Sequence, residues 1–283
     1  MIAAALQTAR NAAQAGLDQK IGTAGATSVR FIFGLPVALM FIAVIALVAG
    51  LPRPGPATLG WAAFGAIAQI AATGFMLLTM RGRSFGVATA LMKTEPVTLA
   101  IIGALFLAEP LTLPRLAAIA IAVAGVLLIS APDWGRASLR GIVTGITAGT
   151  LFGLSAIGFR GAILTLPGDN FIAQAALVLA ITLAMQTAIC GIWLVVTNPA
   201  TLAAMRREMR TSAGAGALGA FASLFWFIGF ALTPAANVRT LALIEVIFAQ
   251  VVSGRVFRQD TAPRQIAGMV LILIGVGLLL RVA

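Results

Sequence analysis

Runs of about twenty apolar residues, separated only by short loops, constrain this chain more than any other feature, because that is the length a helix needs to cross a bilayer. One of them, PVALMFIAVIALVAGL at residues 36–51, has no charge and meets no turn residue before Gly50. A soluble chain of 283 residues would need a wide polar surface, yet 60% of these residues are hydrophobic and 10% are charged. Soluble domains carry about 25% charged residues. The solvent must therefore be mostly hydrocarbon, where a helix satisfies its own backbone hydrogen bonds. The expected fold class is an all-α membrane protein forming one compact bundle.

Turn signals and charges mark out ten expected spans, at 2–17, 24–49, 59–80, 86–108, 113–130, 141–164, 170–196, 213–232, 238–257 and 265–282. LPRPGP, APDWG and LPGDN punctuate the breaks after the second, fifth and sixth. Met1 leads almost directly into the first span, so no cleavable signal is expected. The net charge of +11 is spread singly or in short groups between apolar runs. That pattern orients helices and gives no nucleic-acid surface. Lys20, Arg81, Arg83, Arg136, Arg140, Arg206, Arg207, Arg210, Arg258 and Arg264 fall in odd-numbered loops, against Arg53, Arg115 and Arg239 in even ones. The odd loops are then cytoplasmic and both termini lie outside.

The chain has one cysteine, Cys190, and no histidine. An intrachain disulfide, a cysteine metal cluster, imidazole ligation and histidine catalysis are all excluded. There is no Walker A sequence to couple ATP. No cofactor, no metal and no enzymatic activity is expected.

A repeat organises the chain. LMKTEPVTLA around Glu95 returns 150 residues later as LALIEVIFAQ around Glu245, and Gly125-Val126 returns as Gly275-Val276. Two halves follow, 1–134 and 135–283, each with five helices. An odd number of crossings inverts the second half, and inverted repeats are a device of secondary transporters with a site near the midplane. A helix with Glu-Pro near its middle, a short Leu-Thr loop and a next helix carrying Gly-Val then leucines resembles the EamA-type members of the drug/metabolite transporter superfamily. The resemblance covers nearly the whole chain and is strongest at 91–129 and 241–280. It departs at Glu245-Val246, where Glu-Pro would stand, and at QTARNAAQ in the first helix. It implies export of small polar or amphipathic solutes, very often amino acids, from the bacterial cytoplasm.

Intramembrane charges are costly and usually face a cavity or a partner. Glu95 and Glu245 occupy matching positions and could receive a substrate ammonium, a proton or a neighbouring backbone group. Lys93 lies two residues from Glu95, about 200° around a helix, so the two are expected on different faces. Pro96 frees the carbonyl of Met92 and marks an expected hinge. Gln7, Arg10, Asn11 and Gln14 fall on one helical face, which should point inward. Arg10 could hold a substrate carboxylate or pair with a glutamate. Arg160 is its weaker echo, and Arg30 reads as an interface anchor. Gln69, Asn237, Gln250, Trp61 and the Phe221, Phe225 and Trp226 group could line a cavity or simply pack; Phe221 shares a face with Phe225. That cavity is expected among helices three, four, eight and nine, with the first and sixth alongside.

The expected function is a monomeric secondary transporter of the bacterial inner membrane, working by alternating access between the halves. Its partners are a small-molecule substrate and the lipid bilayer. A multidrug or organic-cation exporter is the alternative within transport. A membrane-embedded enzyme and a non-transporting subunit are remoter ones.

Overall fold

The structure is a computed structural model that describes residues 2–80, 92–130, 139–244, 246–247 and 262–282. Glu245 lies outside the described residues. Those described form eleven helices and no strand: α1 Ile2–Ile32, α2 Leu35–Ala49, α3 Pro56–Met80, α4 Glu95–Leu107, α5 Leu113–Ile129, α6 Leu139–Leu164, α7 Phe171–Thr197, α8 Pro199–Arg207, α9 Met209–Leu232, α10 Ala235–Ala242 and α11 Pro263–Val282.

Proline sets many of the starts. Pro36, Pro56, Pro96, Pro114, Pro199 and Pro263 all stand in the first turn of a helix, where no N–H is needed. Pro36 also ends the helix before it. Pro36 offers no N–H to the carbonyl of Ile32, and the chain turns at Phe33 and Gly34. The second expected span, 24–49, is therefore two helical pieces. Its separation from the first span is made by Gly22, whose φ of 73° and ψ of 166° kink α1. The first helical piece thus runs past the expected end at Leu17.

Among the described residues, six helical stretches are long and apolar enough to cross a membrane: Ile2–Ala49, Pro56–Thr79, Leu139–Leu164, Phe171–Thr197, Met209–Leu232 and Pro263–Val282. Glu95–Leu107 and Leu113–Ile129 are shorter apolar helices. The expected fourth and ninth spans include residues outside those described. Large apolar side chains such as Leu47, Val48, Leu105 and Val196 are exposed, as a hydrocarbon solvent allows.

Two compact units result, one from Leu78–Gly153 with Pro234–Ala283 and the other from Ile2–Leu77 with Leu154–Thr233. Each unit draws on both sequence halves. In the first, α5 packs along α11 and α4 packs against α10 and α5. Glycine permits the α5–α11 approach. A Cβ on Gly125 would lie 2.5 Å from the Gly268 carbonyl oxygen and 2.9 Å from the Ile272 nitrogen. A Cβ on Gly275 would lie 2.5 Å from the Ala122 nitrogen and 2.6 Å from the Ala118 carbonyl oxygen. Shifting by 150 residues turns Gly125 into Gly275, Gly268 into Ala118 and Ile272 into Ala122. The two sets of contacts interchange, as a two-fold relation between repeats requires.

In the second unit α1 packs chiefly along α9, and α2 along α7. α3 meets the later part of α6 through small residues. A Cβ on Gly158 would lie 2.7 Å from the Gly65 Cα, and one on Gly161 would lie 2.6 Å from the Trp61 ring.

Gly268→Leu should force α5 and α11 apart, since even a Cβ there would come within 2.6 Å of the Gly125 carbonyl oxygen. The expected result is a lower unfolding midpoint in detergent than for Gly277→Leu, where a Cβ has no neighbour within 4 Å. Equal midpoints would show that the crossing does not depend on glycine.

Candidate functional site

The first unit holds its charges where a helix breaks. Pro96 cannot bond to Met92, and the chain turns at Lys93 and Thr94 before α4 restarts at Glu95. Pro96 thus sits in the first turn of a helix rather than within a continuous one. The second half turns at Leu243, 150 residues after Lys93, although Val246 stands where Pro96 does. The interruption belongs to the repeat and the proline reinforces it in one copy.

Arg239, on α10, places its Nε 2.8 Å from Oε1 of Glu95. Their side chains keep 13% and 10% exposure. The N–H does not point along this contact, and Glu95 Oε1 accepts no aligned hydrogen bond. It is an ionic contact that leaves acceptor capacity on a buried carboxylate. Lys93 interacts electrostatically with both Glu95 and Arg239. The turn at Lys93 removes the helical phase on which separate faces were expected, and the two charges work within one cluster.

Two residues from Arg239, Asn237 bridges to the next helix. Its Oδ1 accepts from Arg115 Nε of α5 at 3.0 Å. Arg115 Nη1 donates to the Pro110 carbonyl. Its backbone N–H donates to Thr112 Oγ1 at 3.4 Å, the N-cap of α5. Glu109 is buried in the same α4–α5 connection. The sequence places Arg115 and Arg239 at loops, but both lie inside helices and are largely buried.

The second unit carries a separate polar set. Arg10 and Gln14 are buried on the inward face of α1, with Asn11 half-buried beside them. Arg10 donates to Asn11 Oδ1 through Nη2 at 2.6 Å and Nε at 3.3 Å. A Cβ on Gly219 would lie 3.1 Å from Arg10 Cδ, so glycine makes room for that stem on α9. Gln14 Nε2 donates to the Ala26 carbonyl at 2.8 Å, tying the two pieces of α1 across the Gly22 kink. Gln7 Oε1 accepts from Trp226 Nε1 at 2.9 Å.

A second chain of bonds links α1, α3 and α7. Arg30 Nη1 donates to Thr73 Oγ1 at 3.2 Å, and Thr73 Oγ1 donates to the Gln69 carbonyl at 2.8 Å. Gln186 Nε2 donates to Gln69 Oε1 at 2.9 Å and to the Ala66 carbonyl at 3.2 Å. Arg30 is not an interface anchor: it is buried, with its guanidinium 5.4 Å from the Phe31 ring centre. Arg160 is buried too and donates to the Phe230 carbonyl.

The expected residues therefore fall into two groups. Lys93, Glu95 and Pro96 lie in one unit, and Arg10, Asn11, Gln14, Gln69, Phe225 and Trp226 in the other. Trp226 is buried and stacks near Phe230 with centroids 6.4 Å apart. Phe225 is 39% exposed and Phe221 44%, so the face they share is a different one. Phe221 meets Phe41 edge-on at 4.9 Å. Glu245 and Gln250 lie outside the described residues. Asn237, expected to line a cavity, instead anchors Arg115, and sequence reasoning missed Gln186, Arg115 and Arg239 as members of these clusters. An amide inside LAMQTAIC was a usable sign for Gln186. The arginines were masked by their nearness to expected span ends.

A helical chain with long apolar crossings, contacts that interchange between two repeats, and charges held inside broken helices is built as a polytopic membrane protein. The chain belongs to the EamA-like transporter family, which matches residues 3–131 and again 139–281. It is thus a multi-pass membrane transporter of small molecules. A solved crystal structure with 14% identity aligns over 99% of both chains at a TM-score of 0.68, which supports the fold. No curated protein matches the chain at the level of sequence.

Replacing Asn237 with Leu should leave Arg115 Nε without its acceptor and cost about 1–3 kcal/mol. Asn237→Asp, which retains the oxygen, should cost less. Unfolding of both variants in a detergent titration checks the order; a leucine variant as stable as the native chain would contradict it.

Proposed function

We propose that this transporter exports amino acids and related small metabolites across the bacterial cytoplasmic membrane, as a monomer, by alternating access. The observation that carries the reading is the interrupted helix at Lys93–Thr94, with Glu95 opposed by Arg239 and the interruption repeated at Leu243. Discontinuous helices let transporters present charge and free backbone to a polar solute within the bilayer. The chemistry of amino acids, with one ammonium and one carboxylate, suits a site holding both signs.

Orientation follows from the cations that stay exposed near helix ends. With Arg115 and Arg239 inside helices, Arg53 is the even-loop cation left from the original count. Arg206, Arg207 and Arg210 stay exposed around the α8–α9 junction. The excess of exposed cations at that junction over the lone Arg53 favours both termini outside. A Cys190→Ala background carrying single cysteines near Arg53 or Arg207 tests this. The expected result is labelling of the Arg53 site from the periplasm and of the Arg207 site only after permeabilisation. The reverse pattern would overturn the orientation.

Transport is tested in vesicles holding only this chain, screened across the amino acids with and without a pH gradient. At least one amino acid should show counterflow. Glu95, between Lys93 and Arg239, is the described carboxylate best placed to carry a proton, and Glu245 is its repeat partner. Glu95→Gln should then flatten the pH profile of flux; an unchanged profile would remove Glu95 from proton coupling. Competition by a quaternary cation stronger than by any amino acid would favour the organic-cation reading instead.

A further inference from the structure

Arg239 stands outside the set of residues that the sequence suggested, yet it makes the closest charged contact to Glu95. Three features of that contact bear on what it does. It is not sealed, because both side chains keep about a tenth of their surface exposed. It is not a well-formed hydrogen bond, because Glu95 Oε1 accepts none that is aligned. It is also not isolated, since Lys93 acts on both partners from the adjoining turn. Further along α10 and α5, Arg115 is occupied by Asn237 and the Pro110 carbonyl and is nearly fully buried. Arg239 is the more accessible guanidinium of the two.

An ion pair of this kind can be replaced end for end by a zwitterion. A substrate carboxylate meets Arg239, whose planar fork can bind two oxygens at once. A substrate ammonium meets Glu95, whose oxygen has acceptor capacity to spare. The exchange leaves the charge of the site unchanged, so neither buried group is left alone at any stage. That matters because removing one partner of a buried pair is far more costly than replacing both. Lys93 adds positive charge beside the pair, so a substrate cation without a carboxylate would meet more repulsion than a zwitterion does.

Resting on the transporter reading above, we propose that Arg239 is the specificity-determining residue of this site. It binds the carboxylate of a zwitterionic α-amino acid that displaces Glu95, while Glu95 takes the ammonium. Permanent cations lacking a carboxylate are rejected.

The test uses the full chain in detergent and in vesicles. Binding is read from thermal stabilisation by the twenty common amino acids. For those that bind, it is then read with their methyl esters and N-acetyl derivatives, which remove one charge each. Native protein should bind at least one amino acid, and blocking either charge should weaken binding by at least about tenfold, the loss of a charge-assisted hydrogen bond. Arg239→Gln should abolish the penalty for the ester while keeping that for the N-acetyl form, and Glu95→Gln should do the opposite. Arg239→Lys should keep a reduced preference for the free carboxylate. The derivative series on native protein stands even where a variant does not fold. Esters that bind as tightly as free amino acids would overturn the proposal. So would vesicles that move tetraethylammonium while no amino acid binds, although transport itself would survive. Vesicles that move nothing, with no binding, would overturn both.

Discussion

Arg239 and Glu95 hold each other inside a fold solvated by hydrocarbon, where an unpaired charge is costly. Much of the first unit can be understood from that requirement. A carboxylate within an apolar helix needs a cation from another helix, so α10 must run beside α4. The cation then needs its own helix fixed. Asn237 provides this by engaging Arg115 of α5, and Arg115 in turn caps the loop that leads back to α4. The break at Lys93–Thr94 brings a second cation into the same cluster. A continuous helix would have sent Lys93 to another face.

Around this cluster the framework is made of surfaces that carry no charge at all. Gly125, Gly268 and Gly275 let α5 and α11 approach to backbone contact, and the contacts interchange when the sequence is shifted by one repeat. Where no hydrophobic effect draws helices together, close packing of this sort supplies the association. The second unit follows the same logic with different polar groups. Arg10 rests over Gly219, Gln14 ties the two pieces of α1 together, and Gln186 binds α7 to α3. Its buried guanidiniums engage oxygens of side chains or backbone: Asn11 for Arg10, Thr73 for Arg30 and the Phe230 carbonyl for Arg160.

The helical membrane class and the family were legible in the sequence, because apolar run length and a 150-residue echo are local or periodic signals. The inward polar face of α1 was legible for the same reason: 3.6-residue periodicity places Gln7, Arg10 and Gln14 together. What escaped was set by partners distant in the chain. Arg239 and Arg115 read as loop charges because each lies within two residues of an expected span start, and only packing of α10 against α4 and α5 turns them inward. Lys93 was assigned to a face by helical phase, and a turn cancelled that phase. The aromatic group in α9 was divided by rotation about the helix, with Trp226 facing inward and Phe225 exposed. A hydrophobic sequence does not reveal which side of a helix meets lipid when every side is apolar.

The account stands or falls on whether Glu95 and Arg239 act as one unit. A double-mutant cycle of Glu95→Gln, Arg239→Gln and the pair, read from unfolding free energies in a detergent titration, measures this directly. The account predicts a coupling energy above about 1 kcal/mol, with the double variant less damaged than the sum of the singles. Effects that add within about 0.3–0.5 kcal/mol would contradict it, because they would mean that each charge finds its stabilisation elsewhere.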